Sequence, residues 1–310
     1  MSFTHSTSTN NAVVNAGITI CQMSEEDYNN VVRPWTILEN WNPGCFDSQI
    51  YFSHPEGRFF YVLKKLNEIV AALLGYAYNS NHATVGCYIV KPGERGRGYG
   101  KQLWDCVLNS LCTRYHNVRL YSVPALIAAY QKEGFILENS SIQHWQRVNG
   151  SPIAPFHSPN IQVATHQELL AICEYDQSIF PAQRHSLLKA LLNLPESSVI
   201  YSRAPHSGLI NGFGAIRLCE EGYRIGPLYA DSPSIARELI CKLLSSRRPD
   251  NMVFMDSHNY NQHAAKLLTN HFHFTHTKEK DCFPMYRGAP LPMTHNAHKH
   301  YGEMALDLGY

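Results

Sequence analysis

The chain has 310 residues, enough for two domains of about 150. Apolar residues make up 44% and charged residues 16%, which excludes a disordered chain, and no apolar run reaches membrane-spanning length. The net charge of +1 leaves no overall electrostatic case for a nucleic-acid or membrane partner.

Met1 to Asn15 is rich in Ser, Thr and Asn, carries no basic-then-apolar leader, and is expected to be disordered. The nine cysteines include no Cys-x-x-Cys pair, and Cys106 and Cys112 stand too far apart on one helix to share a metal. That usage fits a reduced protein, so a cytoplasmic location is expected. Ile18 to Met23 is read as a strand, and Ser24 as the cap of a helix with Glu25, Glu26 and Asp27 in its first turn. Val31 to His54 holds Trp35, Trp41, Phe46, Tyr51 and Phe52, and is expected to bury most of its rings in a helix–loop–helix. Arg58 to Leu66 and Glu68 to Asn79 predict a hairpin around Asn67. His82 to Val90 is the third strand of the meander.

Between Val90 and Trp104 lie Gly93, Gly96, Gly98 and Gly100, interleaved with Arg95, Arg97 and Lys101. A helix from Tyr99 to Tyr115 comes next, with Leu103, Val107, Leu108 and Leu111 on its buried face. Glycines let backbone N–H groups approach a ligand, and the helix start presents free N–H groups and the positive end of its dipole. Together these make a pyrophosphate cradle. A P-loop is excluded, because Lys101 is followed by Gln102 and not by a metal-binding hydroxyl. The dinucleotide pattern is excluded too: Gly96, Gly98 and Gly100 alternate, and Asn117 to Val123 carries no acidic residue. A strand over Asn117 to Val123, a helix bearing Tyr130, and a final strand through Phe135 to Arg147 close the first half.

Arg95, Gly98 and Gly100 fill the pattern Arg-x-x-Gly-x-Gly, with Val90 and Pro92 ahead and Leu103 behind. This resembles the coenzyme A loop of the GNAT superfamily of N-acyltransferases. Tyr130, four residues before Gly134-Phe135, resembles the second motif of that superfamily. One departure is Val123, where many members carry Asn. The resemblance implies an α/β fold, a mixed sheet flanked by helices. It implies acetyl-CoA held by the loop residues Arg95, Gly96, Arg97, Gly98, Tyr99, Gly100 and Lys101. It further implies a pantetheine arm paired with the backbone of Tyr88 and Val90 where their strand splays from the next. Direct acetyl transfer to a primary amine would result, with a backbone N–H near Val90 polarising the thioester oxygen and Tyr130 as general acid to the leaving thiolate. His82, Glu68 and Cys87 are weighed as the base and read as structural.

Asn149 to Pro159 contains three prolines and predicts a linker. The second half of the chain repeats the first. Ile161–Ala164, Gln167–Tyr175, Ser198–Arg203, Leu209–Leu218, Gly222–Tyr229, Ser234–Leu244, Asn251–Asp256 and Asn261–Leu268 occur in the same order at a nearly constant offset. Gly212 answers Gly75. The chemistry has gone from this copy: Ala230-Asp-Ser-Pro-Ser234 replaces the glycine loop, and Leu267 replaces Tyr130. The chain thus resembles the two-domain GNAT proteins with a degenerate second domain. The expected organisation is a disordered start (1–15), a catalytic domain (16–148), a linker (149–159) and a degenerate domain (160–310). Asp176, Arg184, Arg217 and Asp256 are candidates to line an acceptor cleft between the domains. His295, His298 and His300 are read as solvated loop, and no metal is expected. His271, His273 and His276 read as one exposed strand face. A small-molecule amine is the expected partner; a non-catalytic CoA-binding protein and a peptide acetyltransferase stay open as alternatives.

Overall fold

The computed structural model describes residues 12–15, 17–54, 57–79, 81–147, 158–180, 182–246, 251–290 and 296–304. The linker expected at 149–159 and the disorder expected before residue 12 therefore lie almost wholly outside the described residues. Ala12–Asn15, within the stretch expected to be disordered, forms a strand, β1, paired with β2 (Ile18–Gln22).

The first half continues with α1 (Glu25–Asp27), a π-helical turn at Tyr28–Val32, α2 (Arg33–Leu38) and α3 (Asp47–Tyr51). Ser24 and Asp27 satisfy each other's backbone N–H in a capping box. Strands β3 (Tyr61–Lys65) and β4 (Glu68–Ala77) turn through Leu66 and Asn67, both at positive φ, as a two-residue hairpin requires. Then come β5 (His82–Val90), α4 (Tyr99–Arg114), β6 (Asn117–Ser122), α5 (Ile127–Lys132) and β7 (Ile136–Leu137). Strand β8 (Ile142–Arg147) ends the half.

The second half runs β9 (Ile161–Val163), α6 (Leu169–Gln177), α7 (His185–Asn193), β10 (Ser198–Arg203) and β11 (Ile210–Leu218). It goes on through β12 (Tyr223–Ala230), α8 (Pro233–Ser245), β13 (Val253–His258), α9 (Gln262–Asn270) and β14 (Thr275–His276). Strands β15 (Phe283–Gly288) and β16 (His300–Gly302) complete it. Only His276 of the three alternating histidines lies on a strand; His273 sits at positive φ in the preceding turn.

Two mixed sheets result, with orders β1-β2-β3-β4-β5-β6-β15-β7 and β14-β8-β13-β12-β11-β10-β9. Reversing the second aligns its seven strands with β2 to β7 of the first, β1 having no counterpart among the described residues, which agrees with the repeat but with one exchange. The strand ending the first half, β8, pairs with β13 of the second sheet over six residues, Ile142–Arg147 against Val253–His258. In return β15 pairs with β6 of the first sheet, Phe283–Gly288 against Asn117–Ser122. The strand expected from Phe135 to Arg147 within residues 16–148 is thus two strands in two sheets. An alternating pattern states which face of a strand is buried, not which neighbour it takes.

Helices α4 and α8 each cover the outer face of one sheet. The inner faces meet in one apolar core that includes Tyr28, Val32, Ile89 and Cys87 from the first half and Leu187, Leu191, Phe213 and Tyr229 from the second. The aromatic stretch behaves as expected here: Tyr51 is buried and packs edge-on to Tyr28 at 5.5 Å, while Trp41 stays partly exposed.

Four charged side chains singled out in the sequence are distributed through this interior. Arg184 and Asp176 are fully buried and ion-paired, with Arg184 Nη2 donating to Tyr229 Oη at 2.9 Å. Arg217 Nε donates to Asp47 Oδ1 at 2.8 Å, tying the second half to α3 of the first. Asp256 pairs with Arg224 and with His144 of the exchanged strand, contacts that hold its pKa at about 2 against its burial. Breaking a buried pair strands a charge. Asp176→Asn is therefore expected to lower stability by about 3–5 kcal/mol, read from the urea midpoint. A loss under about 1 kcal/mol would mean that Arg184 is not dependent on this carboxylate.

Candidate active site

Strands β5 and β6 run parallel but share only three paired positions, His82–Thr84 with Asn117–Arg119. Beyond Arg119 they diverge. Beside the divergence β5 carries a bulge: Ala72 faces Ile89 and Leu74 faces Gly86, so Leu73 opposes both Cys87 and Tyr88. Cys87 takes φ +46° there, a conformation the sequence did not announce. The N–H of Lys91 bonds back to Val70 across β4, so by strand alternation the amides of Val90 and Tyr88 face the gap. The Val90 carbonyl is held by Arg95 Nε at 3.1 Å.

Above the gap lies the glycine loop. Gly96 and Gly98 adopt φ +77° and +82°, and a Cβ built on either would meet nothing within 4 Å. The space beside them is open and the conformation suits glycine. Gly98 is the N-cap of α4 and has no side chain to satisfy the first-turn N–H groups, and the first turn itself carries no acidic residue. Gly100 is constrained from the other side: a Cβ there would lie 2.5 Å from Tyr88 Oη and 2.8 Å from Val90 Cγ2. The three cations of the loop are half-exposed and rest on carboxylates, Arg95 on Glu39, Arg97 on Glu94 at 3.2 Å, and Lys101 on Asp105 and Glu133. Exposed pairs of this kind contribute about 0–1 kcal/mol, so an incoming pyrophosphate can displace them. Tyr99 ends between helix and sheet, its ring 5.6 Å from Lys65 Nζ.

Tyr130 of α5 packs its ring 5.2 Å from that of Trp104, which lies 5.2 Å from that of Tyr88. Burial, reinforced by Tyr88, raises the Tyr130 pKa, so the phenol stays protonated at neutral pH. Tyr88 is likewise pushed up to about 12 by burial. Trp104 was not singled out from sequence. It is the plate between the two tyrosines, and its buried Nε1 has no hydrogen-bond partner among the described residues. An aromatic one turn beyond the glycine loop was the available signal.

The loop, Tyr88, Val90 and Tyr130 thus converge on one gap. Asp176, Arg184, Arg217 and Asp256 do not: they are spent in the interior pairs above, which corrects the expectation that they line an open cleft. His82 is buried against Asn117 Oδ1 at 3.1 Å, and burial lowers its pKa to about 3. Glu68 is held by Lys91.

The same gap in the second half has been filled. Strands β12 and β13 pair only over Tyr223–Ile225 with Val253–Met255, and β11 and β12 keep a matching bulge between Gly214 and Ile216. Into the space beyond, the tail of the chain inserts β16, with Leu228 paired to Gly302 and Tyr229 to His300. Glu303 N–H closes it on Asp256 O at 2.8 Å. The helix above is closed as well, since Ser232 Oγ accepts from Ile235 N–H and Asp231 is engaged by Lys299 and Tyr175. The tail shows what an extended, amide-bearing chain looks like in this gap; among the described residues no strand enters the first gap, which lies beneath an uncapped helix.

A sequence model of the acetyltransferase (GNAT) family matches residues 20–135, and one of an acetyltransferase (GNAT) domain matches residues 172–302. Over 235 residues the chain is 27% identical to the holothin acyltransferase of Pseudoalteromonas sp. (strain SANK 73390), covering 73% of this chain and 74% of that protein. Its fold is similar to that of a candidate acetyltransferase of Pyrococcus horikoshii, with a TM-score of 0.75 at 19% identity over 98% and 100% of the two chains. It is also similar to a tandem GNAT protein from the clavulanic acid biosynthesis pathway, with a TM-score of 0.61 at 14% identity over 89% and 100%.

Proposed function

Because the chain is a member of the GNAT acetyltransferases, with two such domains in tandem, we propose that its first half transfers an acetyl group from acetyl-CoA to a primary amine of a small molecule. The observation that carries this reading is the gap between β5 and β6, entered by no strand among the described residues, beneath the uncapped start of α4 and flanked by Tyr130. Acetyl-CoA would supply the activated thioester. The N–H groups of Gly98 to Lys101 and the side chains of Arg95, Arg97 and Lys101 take the pyrophosphate, where the helix dipole adds to their charge. Tyr88 and Val90 offer backbone amides to the pantetheine arm, as β12 offers its own to the tail strand. The Val90 N–H stands as the donor to the thioester oxygen. Tyr130, a neutral phenol at physiological pH, gives its proton to the departing thiolate, and the proton shed by the acylated amine restores it.

A small acceptor is favoured over a peptide because the inner face of β5, at Cys87 and Ile89, is sealed by the core shared with the second half. Only one site per chain is expected, the second gap being occupied by the tail. A panel of small amines mixed with acetyl-CoA, read by free-thiol release, tests the activity; no amine above the hydrolysis background would refute it. Tyr130→Phe is expected to keep CoA binding and lower kcat by about 10²-fold or more. Unchanged turnover would remove its role as acid.

A further inference from the structure

His258 ends β13, His300 opens β16, and Glu303 comes directly after that strand. All three are buried, Glu303 to 1% exposure. One ligating atom from each lies within 4.8 Å of the others. His258 Nε2 is 2.7 Å from Glu303 Oε1, and His300 Nε2 is 3.6 Å from the same oxygen. These are close contacts between imidazole nitrogen and carboxylate oxygen that do not have hydrogen-bond geometry. Among the described residues both oxygens of Glu303, His258 Nδ1 and His300 Nε2 are buried without a hydrogen-bond partner. A carboxylate taken out of water with neither a hydrogen bond nor a bound cation is among the costliest groups to bury. The two guanidinium groups in electrostatic reach are already committed, Arg184 to Asp176 and Arg119 to Glu138.

We propose that His258, His300 and Glu303 hold one divalent transition-metal ion of the zinc class. Two imidazoles and one carboxylate are a borderline donor set, suited to Zn²⁺ or Co²⁺ and not to Mg²⁺ or Ca²⁺, which demand oxygen throughout. Imidazole nitrogen and carboxylate oxygen both bind zinc at about 2.0–2.2 Å, so ligands around one ion stand a little over 3 Å apart. The 2.7 Å and 3.6 Å separations bracket that value. The ion joins β13 to the tail on either side of β16 and so clamps the tail strand into the gap that it fills. The site is structural, lies in the second half, and does not depend on the transfer reaction proposed for the first. The sequence pattern led to no expectation of a metal because His258 is remote in sequence from the His295–His300 cluster, from which folding brings His300 beside it.

The test uses the full chain, stripped with chelator, dialysed and titrated with Co²⁺ and with Zn²⁺. The expected result is one equivalent bound per chain, visible Co²⁺ d–d bands of low coordination number, and a higher melting temperature in Zn²⁺ than in chelator. Glu303→Gln, close in shape, is expected to weaken binding by about tenfold or more. A wild-type chain that takes up no stoichiometric metal would overturn the proposal. So would equal uptake by His258→Asn and Glu303→Gln variants, which would place the ion elsewhere. Should the variants not fold, two paramagnetically shifted imidazole resonances in the Co²⁺ wild-type protein support the site, and their absence refutes it.

Discussion

Gly98→Asp is expected to abolish the rise in melting temperature that CoA gives the wild-type chain, while costing the ligand-free protein no more than about 1–2 kcal/mol. The two effects separate because of where Gly98 sits. Its φ of +82° costs a substituted residue about 1–2 kcal/mol, and Asp is among those that tolerate it best. A Cβ there meets no atom within 4 Å, so nothing is displaced. As a cap for α4 the new carboxylate improves on glycine by only a few tenths of a kcal/mol. Against the ligand the signs reverse. The carboxylate occupies the N–H groups meant for the pyrophosphate and adds a like charge about 4 Å away, a repulsion of about 4 kcal/mol at an effective dielectric of 20. That is on the order of a thousandfold in Kd. Wild-type protein at a hundredfold excess of CoA over Kd should gain about 2.7 kcal/mol, which the variant should lack. Gly98→Ala is the control: it carries the backbone strain without the charge and should retain part of the shift. If CoA still stabilises the Asp variant fully, the loop is not where CoA binds.

The second large effect concerns the strand exchange. Neither half is expected to fold alone. A piece ending near residue 148 keeps β1 to β7 but lacks β15, which fills the place between β6 and β7. Met285, fully buried from that strand, would leave a hole whose loss alone is worth about 2–5 kcal/mol, and six residues of ladder go with it. The piece would also carry β8 with no sheet to join, and the inner core would lie open along Tyr28, Val32 and Ile89. These losses rival the whole stability of a domain. The expected outcome is an unfolded or aggregated piece by circular dichroism and gel filtration. Co-expression of the two pieces should restore a soluble, stoichiometric complex. A soluble, cooperatively melting first piece would show that β15 is dispensable.

Much of this was legible in sequence, for reasons that are local. Alternation and turn chemistry located β3, β4 and β5, and helical spacing located α4. The glycine loop was readable because backbone conformations open mainly to glycine leave a mark in composition. Tyr130 was readable by its distance from Gly134-Phe135. What was not readable is partnership. The short patterns of Ile142–Arg147 and Phe283–Gly288 name no particular sheet, so nothing in them betrays the exchange. Asp176, Arg184, Arg217 and Asp256 stood out as charges amid apolar neighbours, which is how a substrate site and a buried ion pair both look along a chain. The partner that decides for Arg217 is Asp47, in the other half. His300 looked solvated beside His298 and Lys299, because the strand that buries it, β16, is three residues long and paired across the domain.

The inner core joining the halves has a consequence for how the acceptor arrives. Two lobes that share a continuous apolar interior, a buried cross-link from Asp47 to Arg217 and exchanged strands cannot part and close about a hinge. Traffic through the site must then run on the timescale of side chains and loops, nanoseconds to microseconds, and not on that of domain opening. Such a catalyst would meet its substrates as a rigid vessel with a fixed mouth and, under the reaction proposed above, would choose among acceptors by what passes the rim.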